Sequence, residues 1–227
     1  MAYTFTSYTA SNGVVLHTIK TSPSNIVIRH VGATTVPGSG FFGINGGFFN
    51  MSTGDLLQIA VNNDVPIKGS KSAYGSGYTN YGDKARGTLV WDLSENEFSV
   101  QVVKSAADLA VVKRTAFWAQ GGISMNLNSD STWASKADNE NMPNRTGSVE
   151  RSGLVYNNTK NIWLVVTPTK CSAEAFRKAI KDNVGSGTLV NGIFLDGSGS
   201  SQIKCTEKSY SGDTRSIHQM VALRYDS

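Results

Sequence analysis

The sequence is poor in the residues that usually cross-link small proteins or bind transition metals. Its 227 residues include two cysteines, three histidines and five prolines. Two cysteines are too few for a disulfide framework or a structural zinc site. The histidines, His17, His30 and His218, are scattered without ligand spacing. The sequence therefore predicts no metal site, and we expect no other cofactor.

Long apolar runs are also absent. No stretch approaches the roughly 20 apolar residues of a membrane span. Residues 1–10 have neither the basic start nor the apolar run of a signal peptide. The sequence thus predicts neither membrane association nor a cleaved leader. A cytoplasmic protein, a mature form exported by another route and a phage-encoded protein all remain open.

The composition is that of an ordinary folded protein. Hydrophobic residues make up 39% and charged residues 17% of the chain, which is too apolar for a disordered one. We see no linker and no internal repeat, so we predict a single domain over residues 1–227. Nothing in the sequence indicates an oligomeric state.

The net charge of +4 is spread thinly along the chain. The densest basic stretch, residues 177–181, lies on a predicted helix and is typical of a solvated face, so we predict no nucleic-acid partner. The mild positive balance suits an anionic ligand without identifying one.

Short runs with β character dominate the chain. We predict antiparallel pairs between residues 14–19 and 26–31, 87–93 and 98–103, and 153–156 and 162–167, with a last strand over 218–225. Residues 69–83 and 128–150 are polar and irregular, and such long loops are usually functional or mobile.

Helices are few. The clearest is predicted over residues 172–183, with Ser172 as N-cap, an apolar stripe at helical spacing and Gly185 at its end. A shorter one is predicted over 106–113. The strand 192–196 follows the first of these helices, which suggests one crossover connection. The predicted fold class is therefore α+β, with a mixed, mostly antiparallel sheet and few helices.

Two glycine-containing clusters lie at strand ends. In the first, Asn45 precedes Gly46 and Gly47, a pattern that lets backbone N–H groups approach a ligand. A plain glycine turn is an equal alternative. In the second, Gln120 precedes Gly121 after an apolar strand, and a bulge or tight turn is the stronger interpretation.

Two charged clusters follow. Glu150 and Arg151 enter the third hairpin, where such a pair is usually a solvated surface pair. Asp196 ends an apolar strand and is followed by a Gly/Ser turn that includes Ser200 and Ser201. The preceding strand argues against mere flexibility, because it anchors the carboxylate, and the turn offers N–H and hydroxyl groups suited to phosphate or sugar.

The four clusters, in this order, resemble the phosphodiester glycosidase domain family, which includes the uncovering enzyme. The matching segments are Asn-Gly-Gly-Phe-Phe at 45–49, Gln-Gly-Gly-Ile at 120–123, Arg-Ser-Gly-Leu-Val at 151–155, Phe-Leu-Asp-Gly-Ser-Gly-Ser-Ser at 194–201 and Arg-Ser-Ile-His-Gln at 215–219. The sequence departs from the family pattern at Phe194, where Asn is usual, and at Ser198, where glycine is usual.

The resemblance implies hydrolysis of a sugar joined through its anomeric carbon to a phosphodiester, with an N-acetylglucosamine-like sugar. Asp196 would serve as nucleophile or as base for water. Arg151 and Arg215 would hold the phosphate, and Glu150 would be a second carboxylate or a partner of Arg151.

The resemblance also implies a substrate-binding set, namely Asn45, Gly46, Gly47, Gln120, Gly121, Ser200, Ser201 and Arg215.

Two other functions remain open at this stage. The same residues could bind a sugar-phosphate or nucleotide without cleaving it, as a sensor or sponge. The chain could also be a cell-wall-directed phage module that acts on teichoic-acid-type linkages. For Cys171 and Cys205, free buried thiols are favoured over a disulfide, and a nucleophilic cysteine is the weakest interpretation because no histidine partner is apparent.

Overall fold

A computed structural model describes residues 2–225. Over these residues it has sixteen strands and two α-helices. They are β1 (Tyr3–Thr9), β2 (Val15–Thr21), β3 (Ile26–Thr34), β4 (Gly43–Asn45), β5 (Ala60–Asn62), β6 (Val65–Pro66), β7 (Arg86–Asp92), β8 (Glu97–Val103), β9 (Phe117–Gly121), β10 (Ile123–Ser124), α1 (Trp133–Asn139), β11 (Val149–Asn157), β12 (Ile162–Cys171), α2 (Ala173–Asn183), β13 (Leu189–Phe194), β14 (Ile203–Lys204), β15 (Ser209–Tyr210) and β16 (Ile217–Leu223).

The strands form three antiparallel sheets. The first has the order β1-β2-β12-β11-β13-β10, the second β15-β14-β4-β16-β3, and the third β6-β5-β9-β7-β8. Because β12 and β13 both pair antiparallel with β11, which lies between them, they run parallel to each other. The helix α2 joins them, so the predicted crossover is confirmed.

The predicted α+β class is wrong, because the protein is mostly β. Strands hold 42% of the residues, and helical turns of every kind hold 16%. The strand residues that were not predicted include all of β1, the ends of β11 and β12, and segments of two or three residues, such as β4, β6 and β10. Segments that short carry too little alternation to be recognised in a sequence.

Two of the three predicted strand pairs form. The hairpins β7–β8 and β11–β12 form as predicted. The proposed pairing of residues 14–19 with 26–31 is wrong, because β2 pairs with β1 and β12 while β3 pairs with β16 in another sheet.

Of the two predicted helices, one forms and the other is shortened. The predicted 172–183 helix is confirmed as α2, and the Ser172 Oγ accepts a hydrogen bond from the Ala175 N–H at 3.1 Å. The predicted 106–113 helix is reduced to one 3-10 turn. Arg114 donates to the carbonyl oxygens of Ala106 and Leu109 at 2.7 and 3.1 Å, which occupies acceptors that a further helical turn would use.

The main core lies between the three sheets. Ile19 and Leu154 of the first sheet, Ile44 of the second and Leu89 of the third are all fully buried there. The opposite face of the first sheet is covered by α2, whose Phe176 is fully buried. The central strands of that sheet are thus buried on both faces, which gives rigid anchors to the segments that follow them.

Candidate functional site

A pocket of about 200 Å³ opens where the first and second sheets meet. We call it the Asp196 pocket. Its walls come from the turn after β13, the start of β11, the segment before β11, and two further positions. They are Phe48, Met142, Pro143, Asn144, Val149, Arg151, Ser152, Phe194, Leu195, Asp196, Gly197, Ser198 and Arg215.

The turn after β13 is held in place by hydrogen bonds from its backbone N–H groups. The Asp196 N–H donates to the Gly46 carbonyl at 3.2 Å, and the Gly197 N–H donates to the Asp196 Oδ1 at 3.0 Å. Ser198 has a φ of +53°, a left-handed conformation that suits glycine better than serine. At Gly199 a Cβ would lie 2.0 Å from a carboxylate oxygen of Asp213, so a side chain here would displace that carboxylate.

The carboxyl of Asp196 titrates far from its ordinary range. Burial raises the pKa of Asp196 to about 6, while the nearby Ser200 hydroxyl, the hydrogen bond from the Gly197 N–H and the charge of Arg215 act in the opposite direction. The Ser200 residue is fully buried, and its Oγ has no hydrogen-bond partner within 3.5 Å among the described residues. A carboxylate with this pKa is ionised at pH 7 and can exchange a proton near that pH.

Arg151 is buried and has no carboxylate partner among the described residues. Its Nε donates to the Cys171 carbonyl at 2.9 Å, and its Nη2 donates to the carbonyls of Asn144 and Gly147 at 2.6 and 2.8 Å. Burial lowers the pKa of Arg151, but an arginine stays protonated in a protein. Its charge is therefore balanced only by carbonyl dipoles, which leaves the pocket attractive to an anion.

Arg215 lies in the same wall and is more accessible, with about a third of its side chain exposed. Its Nη2 is 3.5 Å from the Asp213 Oδ2, which is a long ion pair. Its backbone carbonyl accepts a hydrogen bond from the Gln202 Nε2 at 2.6 Å. The guanidinium is therefore placed by its backbone and remains able to bind a ligand.

Asn45 lies beneath the pocket, and its amide is fully occupied by the protein. Its Nδ2 donates to the Asp196 carbonyl at 2.9 Å. Its Oδ1 accepts from the Ser152 Oγ at 2.8 Å and from the Gln202 N–H at 3.2 Å. Ser152 in turn bonds to the buried Ser201 hydroxyl at 3.1 Å. Asn45 thus ties β4 to β11 and to the catalytic candidate, and it does not line the pocket.

The glycines after Asn45 serve close packing. A Cβ on Gly46 would lie 2.8 Å from the Gln219 Cγ. A Cβ on Gly47 would lie 2.4 Å from the Gln58 Oε1 and 3.0 Å from the Gln120 Nε2. None of these residues lines the pocket.

The Gln120–Gly121 segment lies in this same buried layer. Gln120 is fully buried, its Nε2 donates to the Gly121 carbonyl at 2.9 Å, and its Oε1 has no partner among the described residues. The Gly121 N–H donates to the Ile59 carbonyl at 2.6 Å. Both residues support the segment that carries Phe48 and do not reach the pocket wall.

Glu150 is adjacent to Arg151 in sequence but forms no ion pair with it in the described part of the chain. Its backbone carbonyl lies beside Gly197, 2.9 Å from where a Cβ would be. Its charge acts on Tyr210, whose pKa is raised first by burial and then by Glu150 and Asp213. Asp196 is therefore the one carboxylate among the residues that line the pocket.

Several wall residues were not singled out from the sequence. Met142, Pro143 and Asn144 come from the irregular 128–150 segment, which also contains α1. The length of that segment indicated a functional loop, but it did not indicate which of its residues line the pocket. Ser152 lay inside a matched motif and carried no separate signal, and Ser198 was noted only as a departure from the family pattern.

Neither cysteine adds chemistry to the site. Cys171 and Cys205 are both free and buried. Burial raises the pKa of Cys171, and it raises the pKa of Cys205 to about 11, so neither thiol is a ready nucleophile. Among residues 2–225 no cluster of three His, Cys, Asp or Glu side chains could hold a metal ion, and no helix is long and apolar enough to cross a membrane.

Comparison with known proteins finds similar structures but no similar sequences. No family model matches the chain, and neither does the sequence of any curated protein. The catalytic domain of zebrafish N-acetylglucosamine-1-phosphodiester alpha-N-acetylglucosaminidase, auto-inhibited by its pro-peptide, has a similar fold, with a TM-score of 0.64 and 13% identity over 98% of this chain and 82% of that chain. A hypothetical protein from Synechocystis has a TM-score of 0.59 and 12% identity over 97% of this chain and 61% of its own. At these identities the likeness is one of fold.

Proposed function

We propose that this protein is a hydrolase that cleaves an N-acetylglucosamine-like sugar from a phosphodiester at the anomeric carbon. One observation carries the proposal, namely that the Asp196 carboxyl, whose burial raises its pKa to about 6, shares a pocket with Arg151 and Arg215. The fold similarity to a phosphodiester glycosidase supports the same reaction class.

Asp196 would act as a general base. Ionised Asp196 accepts a proton from water as the water oxygen bonds to the anomeric carbon. The bond from that carbon to the phosphate oxygen breaks, and its electron pair leaves with the phosphate. Because a phosphate monoester is a good leaving group, no acid is needed to protonate it. Arg215 and Arg151 would offset the negative charge that develops there.

Sugar release from a panel of sugar-1-phosphodiesters tests this assignment. We expect Asp196→Asn to lower kcat by about 10³-fold while the affinity for substrate changes little, because the lost charge acts in the transition state. A general base predicts inversion at the anomeric carbon, whereas retention would make Asp196 the nucleophile. Binding without turnover by the wild type would identify a sugar-phosphate-binding protein instead.

Glu150→Gln is the companion variant, because it removes the second candidate carboxylate. A loss of kcat comparable to that of Asp196→Asn would give Glu150 a catalytic role. A small change would leave Asp196 as the single reacting carboxylate.

Arg215→Gln tests recognition of the phosphate. We expect it to weaken binding of a phosphodiester about 10- to 100-fold, since charge-assisted hydrogen bonds are worth about 1.5–3 kcal/mol. Binding of the neutral sugar should change little. Arg224→Gln is a suitable control because Arg224 is exposed and lies outside the pocket. Equal losses for both ligands would mean that Arg215 only supports the structure.

A further inference from the structure

Two exposed tyrosines line a second pocket, which we call the tyrosine pocket. Tyr74 and Tyr81 are 64% and 54% exposed and border a space of about 330 Å³. Neither hydroxyl makes a hydrogen bond to the described residues. The polar residues Thr79 and Ser105 lie in the same wall. Aromatic faces combined with a few polar groups are typical of a small-molecule site, and open tyrosine rings offer an apolar body with a polar tip, which suits a sugar ring.

A third pocket, of about 500 Å³, adjoins the tyrosine pocket, because Asp83 and Lys104 line both. We call it the lysine pocket, since Lys84, Lys104 and Lys136 all lie in its wall. Lys104 pairs with Asp83 at 2.8 Å. Lys84 and Lys136 have no carboxylate partner within 4 Å among the described residues.

The remaining acid of the lysine pocket is already engaged. Glu140 is buried, and its Oε2 accepts hydrogen bonds from the backbone N–H groups of Gly87 and Ser124, each at 2.8 Å. Three lysines, Lys84, Lys104 and Lys136, stand against the two carboxylates of Asp83 and Glu140, so the wall has one positive charge in excess. The lysine pocket therefore attracts anions.

The same wall contains buried polar atoms without partners. Ser124 is 2% exposed, and neither its Oγ nor the Nδ2 of Asn126 has a hydrogen-bond partner in the described part of the chain. Buried polar atoms nearly always have partners. Both atoms are closed to solvent, so they lie behind the wall of the pocket and do not themselves contact a bound ligand.

The lysine pocket also lies next to the Asp196 pocket along the chain. Lys136 and Glu140 line the first, and Met142 lines the second. Two residues span at most ~7.6 Å between Cα atoms, so one stretch of backbone, residues 136–142, contributes to the walls of both pockets. This shared stretch is where a chain-like ligand of a few sugar units would continue from one pocket toward the other.

We propose that the tyrosine and lysine pockets form one groove that binds an anionic glycan. Sugar rings stack on Tyr74 and Tyr81, and the acidic groups between them, such as phosphates, pair with Lys84 and Lys136. The groove extends toward the Asp196 pocket, so the substrate class is a polymer of phosphate-linked sugars. That last step rests on the proposed hydrolase function, whereas the binding itself does not.

Calorimetric titration with a glycosylated poly(glycerol phosphate) tests the binding. We expect the double variants Tyr74→Ala/Tyr81→Ala and Lys84→Ala/Lys136→Ala each to raise the Kd about tenfold, because one removes the stacking surfaces and the other the positive charges. A tenfold change corresponds to about 1.4 kcal/mol of binding free energy. The matched control is Tyr225→Ala/Lys113→Ala, which removes an exposed tyrosine and an exposed lysine outside the groove. We expect it to change the Kd less than twofold.

Three results would overturn the proposal. The first is that neutral dextran binds as tightly as the anionic polymer, and the second is an unchanged Kd in either double variant. The third is that a single-stranded oligonucleotide binds as tightly as the polymer and loses the same affinity in the double variants. The last would point to nucleic acid, whose bases also stack on aromatic rings.

Kinetics separate this proposal from the hydrolase function. With a short sugar-1-phosphodiester, the groove variants should keep wild-type kcat and KM. With the polymer, they should raise KM about tenfold and leave kcat unchanged. Polymer binding that persists without any turnover would support the groove and refute the hydrolase. Turnover of the polymer with an unchanged KM in the groove variants would support the hydrolase and refute the groove.

Discussion

At the scale of single residues, the site depends on a carboxyl group held in an unfavourable environment. Burial raises the pKa of Asp196 from 3.8 to about 6, so its charged form is less stable in the folded protein than in the unfolded chain. The same burial gives a base with a pKa close to neutral pH. The ionised Asp196 carboxylate that the proposed function requires therefore lowers the stability of the folded protein at neutral pH. Such a trade-off between stability and activity is common at active sites.

The first prediction concerns the pH dependence of Asp196. Its folded pKa lies above the unfolded value, so its contribution to stability is complete below pH 4 and is lost as pH rises through 6. The shift corresponds to about 2–3 kcal/mol. We expect Asp196→Asn to raise the free energy of unfolding near pH 7.5 by about 2 kcal/mol and to have little effect at pH 4.

Urea denaturation of both proteins at the two pH values measures this difference. An Asn variant less stable than the wild type at pH 7.5 would mean that the carboxylate stabilises its turn. In the wild type, kcat/KM should rise with pH and reach a plateau above about 6, because the base must be ionised.

The second prediction concerns Gly47. Since a Cβ there would lie 2.4 Å from the Gln58 Oε1, we expect Gly47→Ala to destabilise the fold by about 2 kcal/mol. Gly147→Ala is the matched control, because its Cβ would meet no atom closer than 3.4 Å. Thermal melts compare the two. Unchanged stability in Gly47→Ala with weakened substrate binding would support the predicted ligand-binding role of this glycine.

At the scale of secondary-structure elements, α2 determines how well the first sheet is buried. Its Phe176 is fully buried, and its Arg177 donates to the carbonyls of Met125 and Asn126 at 2.9 and 2.6 Å. The helix thus supports both the sheet that carries Asp196 and the segment that leads into α1.

The third prediction concerns the N-cap of α2. The Ser172 Oγ accepts a hydrogen bond from the Ala175 N–H at 3.1 Å, so Ser172→Ala should cost about 1 kcal/mol of stability. The exposed Ser131 makes no side-chain hydrogen bond to the residues that the structure describes, and Ser131→Ala should change stability by less than about 0.5 kcal/mol. Chemical denaturation compares the two variants, and equal effects would contradict the capping role.

At the scale of the whole molecule, the Asp196 pocket exists because two sheets are joined below it. Asn45 belongs to the second sheet, and its amide bonds to Ser152 of the first sheet and to the Asp196 carbonyl. A change at this junction should therefore affect the fold and the site together.

The fourth prediction tests this junction. Asn45→Ala leaves the Ser152 hydroxyl, the Gln202 N–H and the Asp196 carbonyl short of a buried partner, so we expect a loss of about 3 kcal/mol. The remaining folded protein should have a lower kcat with a nearly unchanged KM, because Asp196 is displaced and the arginines are not. The exposed Asn158 has no side-chain hydrogen bond within residues 2–225, and Asn158→Ala serves as the control. A variant that raises only KM would mean that Asn45 contacts the substrate.

The sequence by itself determined the local features of this protein. Turn residues between apolar runs predicted the β7–β8 and β11–β12 hairpins, and a capping serine with a helical stripe predicted α2. The strand and turn around Asp196 were recognisable for the same reason, because strand, turn and cap signals act over a few residues.

Only the tertiary structure decided which strands share a sheet and what each polar group bonds to. Nothing local distinguishes pairing of β2 with β3 from the observed pairing of β2 with β12, since both candidate partners are runs rich in β-branched residues. The Arg151 guanidinium bonds to carbonyls from residues 144–147 and 171, and Asn45 bonds to groups more than 100 residues away. Such partners are set by burial, which leaves a polar side chain to bond with whatever the packed chain brings beside it.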